Sequence, residues 1–505
     1  MSTALAAVAR RLHRAADLRE YLPSAWLAAW AAVLPVALIR ARYLAESDTF
    51  WEIRTGQVIL RTGHIPAVDS FSWWARGRPW APNSWAFDVL LAGAYRAGGL
   101  ACAALLGSGL VMLASAVILL LARRLGARPA AAGACTVAWS AGMFVWLSAR
   151  PQLIDYAAVP LLVLVLAGAG PAVRPRTLLL VAAIEAVWVN LHTGALLGIP
   201  VALCAGLGTQ AAARYARPAA ARPATGRPAP ARPPPLPGAA ARAVAPALAA
   251  LAGTLANPRG AAVFAQLRQV NSASAGLVFE WRHVSLTSPD QLVMLGAGLL
   301  ALAVAARWRR LDLVLVLALL AAAGAYAIRN LPILDAVAAA VLAAALGGPR
   351  LRAWASGGTG RLALRIVAAG LVGALAVRAA IGLPQTGGTS YPVASVRALP
   401  SGCRLFNSYL LGGIVILDRP GVPVSLDSRN DLYGRRDVLA QQRILTSRSG
   451  GPAALRRLGV TCALIPAASG LARQLRRSPA WRELTGAPAG AAFVRVGVSG
   501  PSPAR

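Results

Sequence analysis

The stretch LACAALLGSGLVMLASAVILLLA (residues 100–122), followed at once by RRLGAR (123–128), decides the architecture. A hydrocarbon core is crossed by about 20 apolar residues in a helix. The segment has that length, and lipid offers its backbone groups no partner outside the helix itself. Its end in arginines is the flank that cytoplasmic ends of spans retain. Working outward, similar apolar runs recur from 24 to about 382. With 57% hydrophobic and 14% charged residues over 505 positions, the chain is too apolar for an ordinary soluble enzyme.

Arginine placement then assigns sides. Residues 1–23 carry Arg10, Arg11, Arg14 and Arg19 and read as a cytoplasmic N-terminus. The run at 24–44 follows them and passes Arg40 and Arg42 without a small-residue cleavage site, so it reads as an uncleaved first span. Residues 45–99 are then an outer loop with Trp51, Trp73, Trp74, Trp80 and Trp85, suited to the membrane interface, and 85–95 is amphipathic enough to lie on the surface. Span 100–122 returns to the cytoplasm. Further spans are expected near 130–147, 153–168, 177–191, 194–212, 243–256, 292–306, 311–328, 331–346 and 362–381, about eleven in all. The Pro-, Ala- and Arg-rich stretch 213–243 falls inside as a linker.

The net charge of +33 does not indicate nucleic acid. Every basic residue is Arg, the bias of a GC-rich bacterial genome, and the arginines punctuate apolar runs instead of forming one basic face. There is no CxxC. Cys102, Cys135 and Cys204 lie in spans, while Cys403 and Cys462 lie in the last part of the chain, where two buried strand cysteines are favoured over a disulfide.

From about 383 to 505 the pattern changes. Short β-type runs at 403–406, 413–417, 422–426, 460–465 and 491–496 alternate with helical stretches at 435–445 and 467–477. The expected fold is therefore an α-helical polytopic membrane protein carrying a small extracytoplasmic α/β domain.

Polar groups inside a membrane are costly and mark function or satisfied packing. Arg150, Gln152, Asp155, His192, Arg329, Asn330 and Asp335 fall at or near outer ends of spans, below Glu46, Asp48, Glu52 and Asp69 of the first outer loop. Helix ends gather polar residues in any case, but the coincidence across four loops points to a cavity with carboxylates above and cations below. A cation can hold a phosphate, and a carboxylate can take a proton from a hydroxyl. Glu185 differs: it lies within a span and shares a helical face with Trp188 and His192, as a buried contact or a proton pathway.

The segment ESDTFWEIRTG (46–56), with IPAVDSFS (65–72) and GRPW (77–80), resembles the bacterial polytopic proteins grouped with GT-C membrane glycosyltransferases of the mannosyltransferase and oligosaccharyltransferase type. Their first outer loop reads like DPDTWWHIxTG, then IPxxDPFS and GRPW. Further matches follow in order: ARPQ (149–152), WVNLHTG (188–194), RNLP (329–332), FNSY (406–409), GG (412–413) and DSRNDLYG (427–434).

The resemblance implies transfer of a sugar from a polyprenyl-phosphate donor to an extracytoplasmic glycan or protein acceptor by a multi-pass enzyme of the cell membrane. Asp48 matches the second Asp of the pattern and is the candidate general base. Glu46 replaces the first Asp, and Glu52 replaces the usual His. Glu46, Asp48 and Glu52 together form a set of oxygen ligands for Mg²⁺ or Mn²⁺, although some GT-C relatives use no metal. Arg150, His192 and Arg329 are the candidates for donor phosphate. Asp427, Arg429, Asp431 and Tyr433 would line the acceptor side, or else form a turn stapled by its own salt bridges. A non-catalytic membrane protein or a lipid-linked-glycan transporter that retains the fold is the alternative.

Overall fold

The computed structural model describes residues 23–42, 44, 46–216, 238–347 and 390–497. Five helices are long and apolar enough to cross a membrane: Pro23–Ala41, Trp85–Arg124, Thr193–Tyr215, Pro289–Arg307 and Ile328–Leu346. Shorter apolar helices at Gln152–Ala167, Ala239–Leu255 and Leu311–Tyr326 pack among them, with Pro129–Gly142 and Pro175–Leu191. This is the build of a multi-pass membrane protein. The expected count of eleven spans is not reached among the described residues, and the span expected at 362–381 lies outside them, as do residues 1–22 and most of the linker.

Local chemistry sets the ends of these helices. Pro129, Pro175 and Pro289 each start one, where the fixed φ suits a helix and the missing N–H is not needed. In Trp85–Arg124 the chain breaks at Gly98 and Gly99; Gly99 has φ 64° and ψ −151°, a conformation reserved for glycine. The segment before the break and the membrane-length helix after it are therefore two helices joined by a kink. Close approach replaces hydrophobic driving force inside the bundle: a Cβ on Gly253 would collide with the Ala182 carbonyl of Pro175–Leu191. Leu331–Leu346 runs through the centre, buried along most of its length.

The C-terminal part contains a mixed four-stranded sheet. Its strands are β1 (Leu405–Asn407), β2 (Cys462–Ile465), β3 (Trp481–Ala487) and β4 (Gly490–Arg495), in the order β1-β2-β4-β3. β1 and β2 are parallel, and the other pairs are antiparallel.

Four expectations need correction here. Residues 413–417 form the helix Gly412–Asp418, which packs on the helix Asp48–Thr62 instead of pairing in a sheet. Residues 422–426 are not a strand, although Val424 bridges to Ser72 and exchanges backbone hydrogen bonds with Phe71 and Trp73. β3 was not foreseen, because its apolar residues Trp481, Leu484 and Ala487 do not alternate as those of a strand would. Cys403 and Cys462 are joined by a disulfide, with Cα atoms 5.9 Å apart, because β1 and β2 run side by side.

The first loop is the bed on which this sheet domain rests. Trp73 Nε1 donates to the Leu405 carbonyl at 2.7 Å, and the Arg404 guanidinium stacks 4.0 Å from the Trp73 ring centre. Arg78 pairs with Asp437 at 2.7 Å. Loop and domain thereby form one body over the end of the bundle.

Candidate active site

Asp48 opens the helix Asp48–Thr62, where the N-terminal end of the helix dipole favours a carboxylate. Glu52 lies one turn further on the same face. Thr49 Oγ1 donates to the Ala149 carbonyl at 3.2 Å, which fixes this helix against the turn carrying Arg150. Arg150 therefore lies among carboxylates. Its Nη1 is 2.5 Å from Glu280 Oε1 and 3.6 Å from Glu46, and its Nη2 is 3.4 Å from Glu280 Oε2 and 3.6 Å from Asp48.

Arg329 starts the next group. Its guanidinium stacks 4.4 Å from the Trp281 ring centre. Gln152, with its amide oxygen turned toward the guanidiniums, accepts from Arg150 Nη2 at 3.2 Å and from Arg329 Nη2 at 2.9 Å. His192 Nδ1 and Trp188 Nε1 both meet Asp155 Oδ1 at 2.7 Å, so His192 is oriented by a buried carboxylate.

These groups surround one cavity of about 480 Å³. Eight of the ten candidate residues line it: Glu46, Asp48, Glu52, Arg150, His192, Arg329, Arg429 and Asp431. Asp427 and Tyr433 do not. They belong to a buried knot in which Asp427 accepts from Arg429 Nη2 at 2.6 Å and from the Tyr433 hydroxyl at 2.7 Å, while Asp69 pairs with Arg429 at 2.8 Å. The turn at Asp427–Gly434 is thus stapled to the first loop. Carboxylates and cations are interleaved across the cavity and not layered one above the other. Asp335 and Glu185 are buried and stay outside it; Glu185 Oε2 accepts from Thr254 at 3.4 Å.

The electrostatics follow from burial and these contacts. Burial pushes the Glu46 carboxyl up, and Arg150 offsets part of that. Glu52 is pushed well above the usual carboxylate range by burial and by neighbouring Asp88. Burial would raise Glu280 too, but Arg150 and Arg329 outweigh it and hold this carboxyl low. Burial opposes the charge on Arg150, and its three carboxylates more than restore it. Asp431 is pushed by burial up to about 6.

Glu46, Asp48 and Glu52 do not fit a divalent ion as a set. Among the described residues no three His, Cys, Asp or Glu groups converge on one point. Arg150 stands between Glu46 and Asp48, and Glu52 faces Asp88. A guanidinium takes the position that a dication would need.

Several contributors were not foreseen. The Ser428 hydroxyl, from the C-terminal domain, donates to Asp48 Oδ1, and Trp51 Nε1 reaches the same oxygen at 3.2 Å and Ser428 Oγ at 3.1 Å. Ser428 lay inside the DSRNDLYG motif, but no spacing rule ties it to Asp48. Glu280 and Trp281 carry no motif or spacing signal in the sequence.

None of the family models and none of the curated proteins compared matches the chain. Solved structures do. The archaeal oligosaccharyltransferase AglB from Archaeoglobus fulgidus, in complex with an inhibitory peptide and a dolichol-phosphate, matches with a TM-score of 0.57 at 12% identity, over 87% of this chain and 69% of that one. The Archaeoglobus fulgidus oligosaccharyltransferase in its apo form gives 0.56 at 13% identity, over 87% and 69%. The same enzyme tethered to an acceptor peptide containing the NVT sequon gives 0.55 at 12%, over 86% and 68%. At this identity the likeness is one of fold: the chain has an oligosaccharyltransferase-like fold, in line with the GT-C resemblance of its motifs.

Proposed function

We propose that this protein is a membrane glycosyltransferase that moves a sugar from a polyprenyl-phosphate carrier to an acceptor hydroxyl or amide on the outer face of the membrane. The observation that carries the reading is the hydroxyl already hydrogen-bonded to Asp48, a carboxylate that lines the same cavity as Arg150 and Arg329. An acceptor donating to Asp48 in place of Ser428 would have its nucleophilic atom aimed into the cavity. Asp48 takes the acceptor's proton as the bond to the anomeric carbon forms, while Arg329 and Arg150 stabilise the departing phosphate, the charge that grows in the transition state. His192, held by Asp155, lines the donor side. Asp431, at the edge of the turn stapled by Asp427, Arg429 and Tyr433, faces the acceptor. No step needs a metal.

The test is turnover of a panel of radiolabelled polyprenyl-phosphate sugars by the purified protein in nanodiscs, compared with Asp48→Asn. Donor cleavage, including slow hydrolysis, that disappears in a folded, donor-binding Asp48→Asn protein supports the reading. Binding of no donor in the panel favours a non-catalytic protein that has kept the fold.

A further inference from the structure

We propose that Ser428 is itself an acceptor: when no external acceptor is present, its hydroxyl takes one sugar from the donor, and the chain glycosylates itself. This rests on the glycosyltransferase reading above and adds a second reaction at the same site.

The base is already in place. Ser428 Oγ donates its proton to Asp48 Oδ1, the contact that an external acceptor would make. Trp51 Nε1 donates to the same Oγ at 3.1 Å and to Asp48 Oδ1 at 3.2 Å, and so ties nucleophile and base together. A serine oxygen carries one proton and two lone pairs. The proton goes to Asp48 and the Trp51 N–H takes one lone pair, so one lone pair remains for a bond to carbon. Ser47, Thr193, Ser274 and Tyr409 also bring hydroxyls to the cavity wall, but among the described residues only Ser428 donates to Asp48. Tyr409 spends its proton on the Ser428 carbonyl and on Asn430 Oδ1.

The nucleophile is also held still. Ser428 lies between Asp427 and Arg429, two members of the buried knot. Asp427 Oδ1 accepts from Arg429 N at 3.0 Å and from Arg429 Nε at 2.7 Å. The Ser428 carbonyl accepts from Asn430 N at 2.9 Å and from the Tyr409 hydroxyl at 3.3 Å. The side chain itself is half-buried and lines the same cavity as Arg150 and Arg329. A hydroxyl fixed in this way acts at a far higher effective concentration than one dissolved in water.

The step balances. Ser428 Oγ forms a bond to the anomeric carbon as the bond from that carbon to the phosphate oxygen breaks. The electron pair leaves with the lipid phosphate, whose growing charge Arg150 and Arg329 meet, and the serine proton passes to Asp48. Asp48 then loses that proton to water. The product is an acetal at Ser428 with no O–H left to give, and its sugar fills the space in front of Asp48. The reaction therefore ends after one sugar per chain.

The experiment incubates the full chain in nanodiscs with the panel of radiolabelled polyprenyl-phosphate sugars and no acceptor. Lipid is extracted under denaturing conditions, label retained on the chain is counted, and the labelled residue is located by peptide mass spectrometry. The proteins are wild type, Ser428→Ala, Ser428→Thr and Asp48→Asn, each checked for folding by donor binding. Wild type should carry one sugar per chain, on Ser428. Ser428→Thr, which keeps a hydroxyl, should still be labelled, whereas Ser428→Ala and Asp48→Asn should not. Donor cleaved while the wild-type chain stays unlabelled overturns the inference and leaves the transferase reading standing. Label that persists in Ser428→Ala also overturns it, because another residue then carries the sugar. No cleavage of any donor overturns both this inference and the reading beneath it.

Discussion

Two arginine clusters lie at the same end of this molecule, and their difference separates architecture from chemistry. Arg429 is closed: two carboxylates and the Tyr433 hydroxyl meet it, and the rings of Phe71, Trp80 and Tyr433 lie 5.1, 4.5 and 5.9 Å from its guanidinium carbon. Its carboxylates, Tyr433 and Trp80 are packed away from water, and Phe71 is half-buried. Arg150 and Arg329 are open: two of Arg150's three carboxylates stand at 3.6 Å, its closest partner rides on a loop with no buried residue, and Arg329 leans on a tryptophan and an amide. A guanidinium whose partners are all buried holds a fold together. One whose nearest partner can leave is available to a ligand.

The comparison can be broken by substitution. The largest effect belongs to the open side: Asp48→Asn should cost donor turnover about a thousandfold, within the range for loss of a general base, while donor binding measured in the same nanodiscs persists. On the closed side, Arg429→Ala should strand Asp69 and Asp427 and destabilise the docked domain by about 3–5 kcal/mol, read as an earlier thermal unfolding step by tryptophan fluorescence. Arg329→Gln should leave that unfolding step in place and weaken donor affinity by about tenfold, seen in equilibrium binding. Trp281→Ala removes only the ring beneath Arg329 and should weaken binding a few-fold, as expected for a partly exposed cation–π contact of about 1 kcal/mol.

The smallest effect is one of pH. The Asp431 carboxyl is pushed from an ordinary 3.8 up to about 6 by burial, so between those values the folded chain holds a proton that the unfolded chain has lost. The associated stability is full below about pH 3.8 and is lost as pH rises through about 6. Thermal unfolding should therefore come earlier at pH 7 than at pH 5, and Asp431→Asn should flatten that slope. An unchanged slope would mean that Asp431 is not the group responsible.

Much of this was legible in the sequence because lipid imposes strict rules on it. The helix Leu331–Leu346 matches its predicted bounds residue for residue, since its apolar run begins after Arg329-Asn330 and stops at Gly347-Gly348-Pro349. Where water and neighbouring chain decide, reading became harder. Residues Gly412–Asp418 carry the β-branched composition of a strand, yet they fold as a helix because Gly412 and Gly413 let the backbone approach Leu426 and Ser47 closely. The disulfide depended on which strands are neighbours, and spacing along the chain does not disclose that. The first-loop acids and Arg150 were found by motif, but Glu280 and Ser428, which meet them, were not. Glu280 is more than a hundred residues from Arg150 along the chain, and Ser428 is 380 from Asp48; only the folded chain brings them together.

The most direct test is a cryo-electron microscopy structure of the nanodisc-embedded protein with a non-cleavable polyprenyl-phosphate sugar analogue. The account predicts phosphate density between Arg150 and Arg329, with the sugar facing Asp48 and the Arg429 knot unchanged. Phosphate seated elsewhere, or on a disrupted Arg429 cluster, would contradict it.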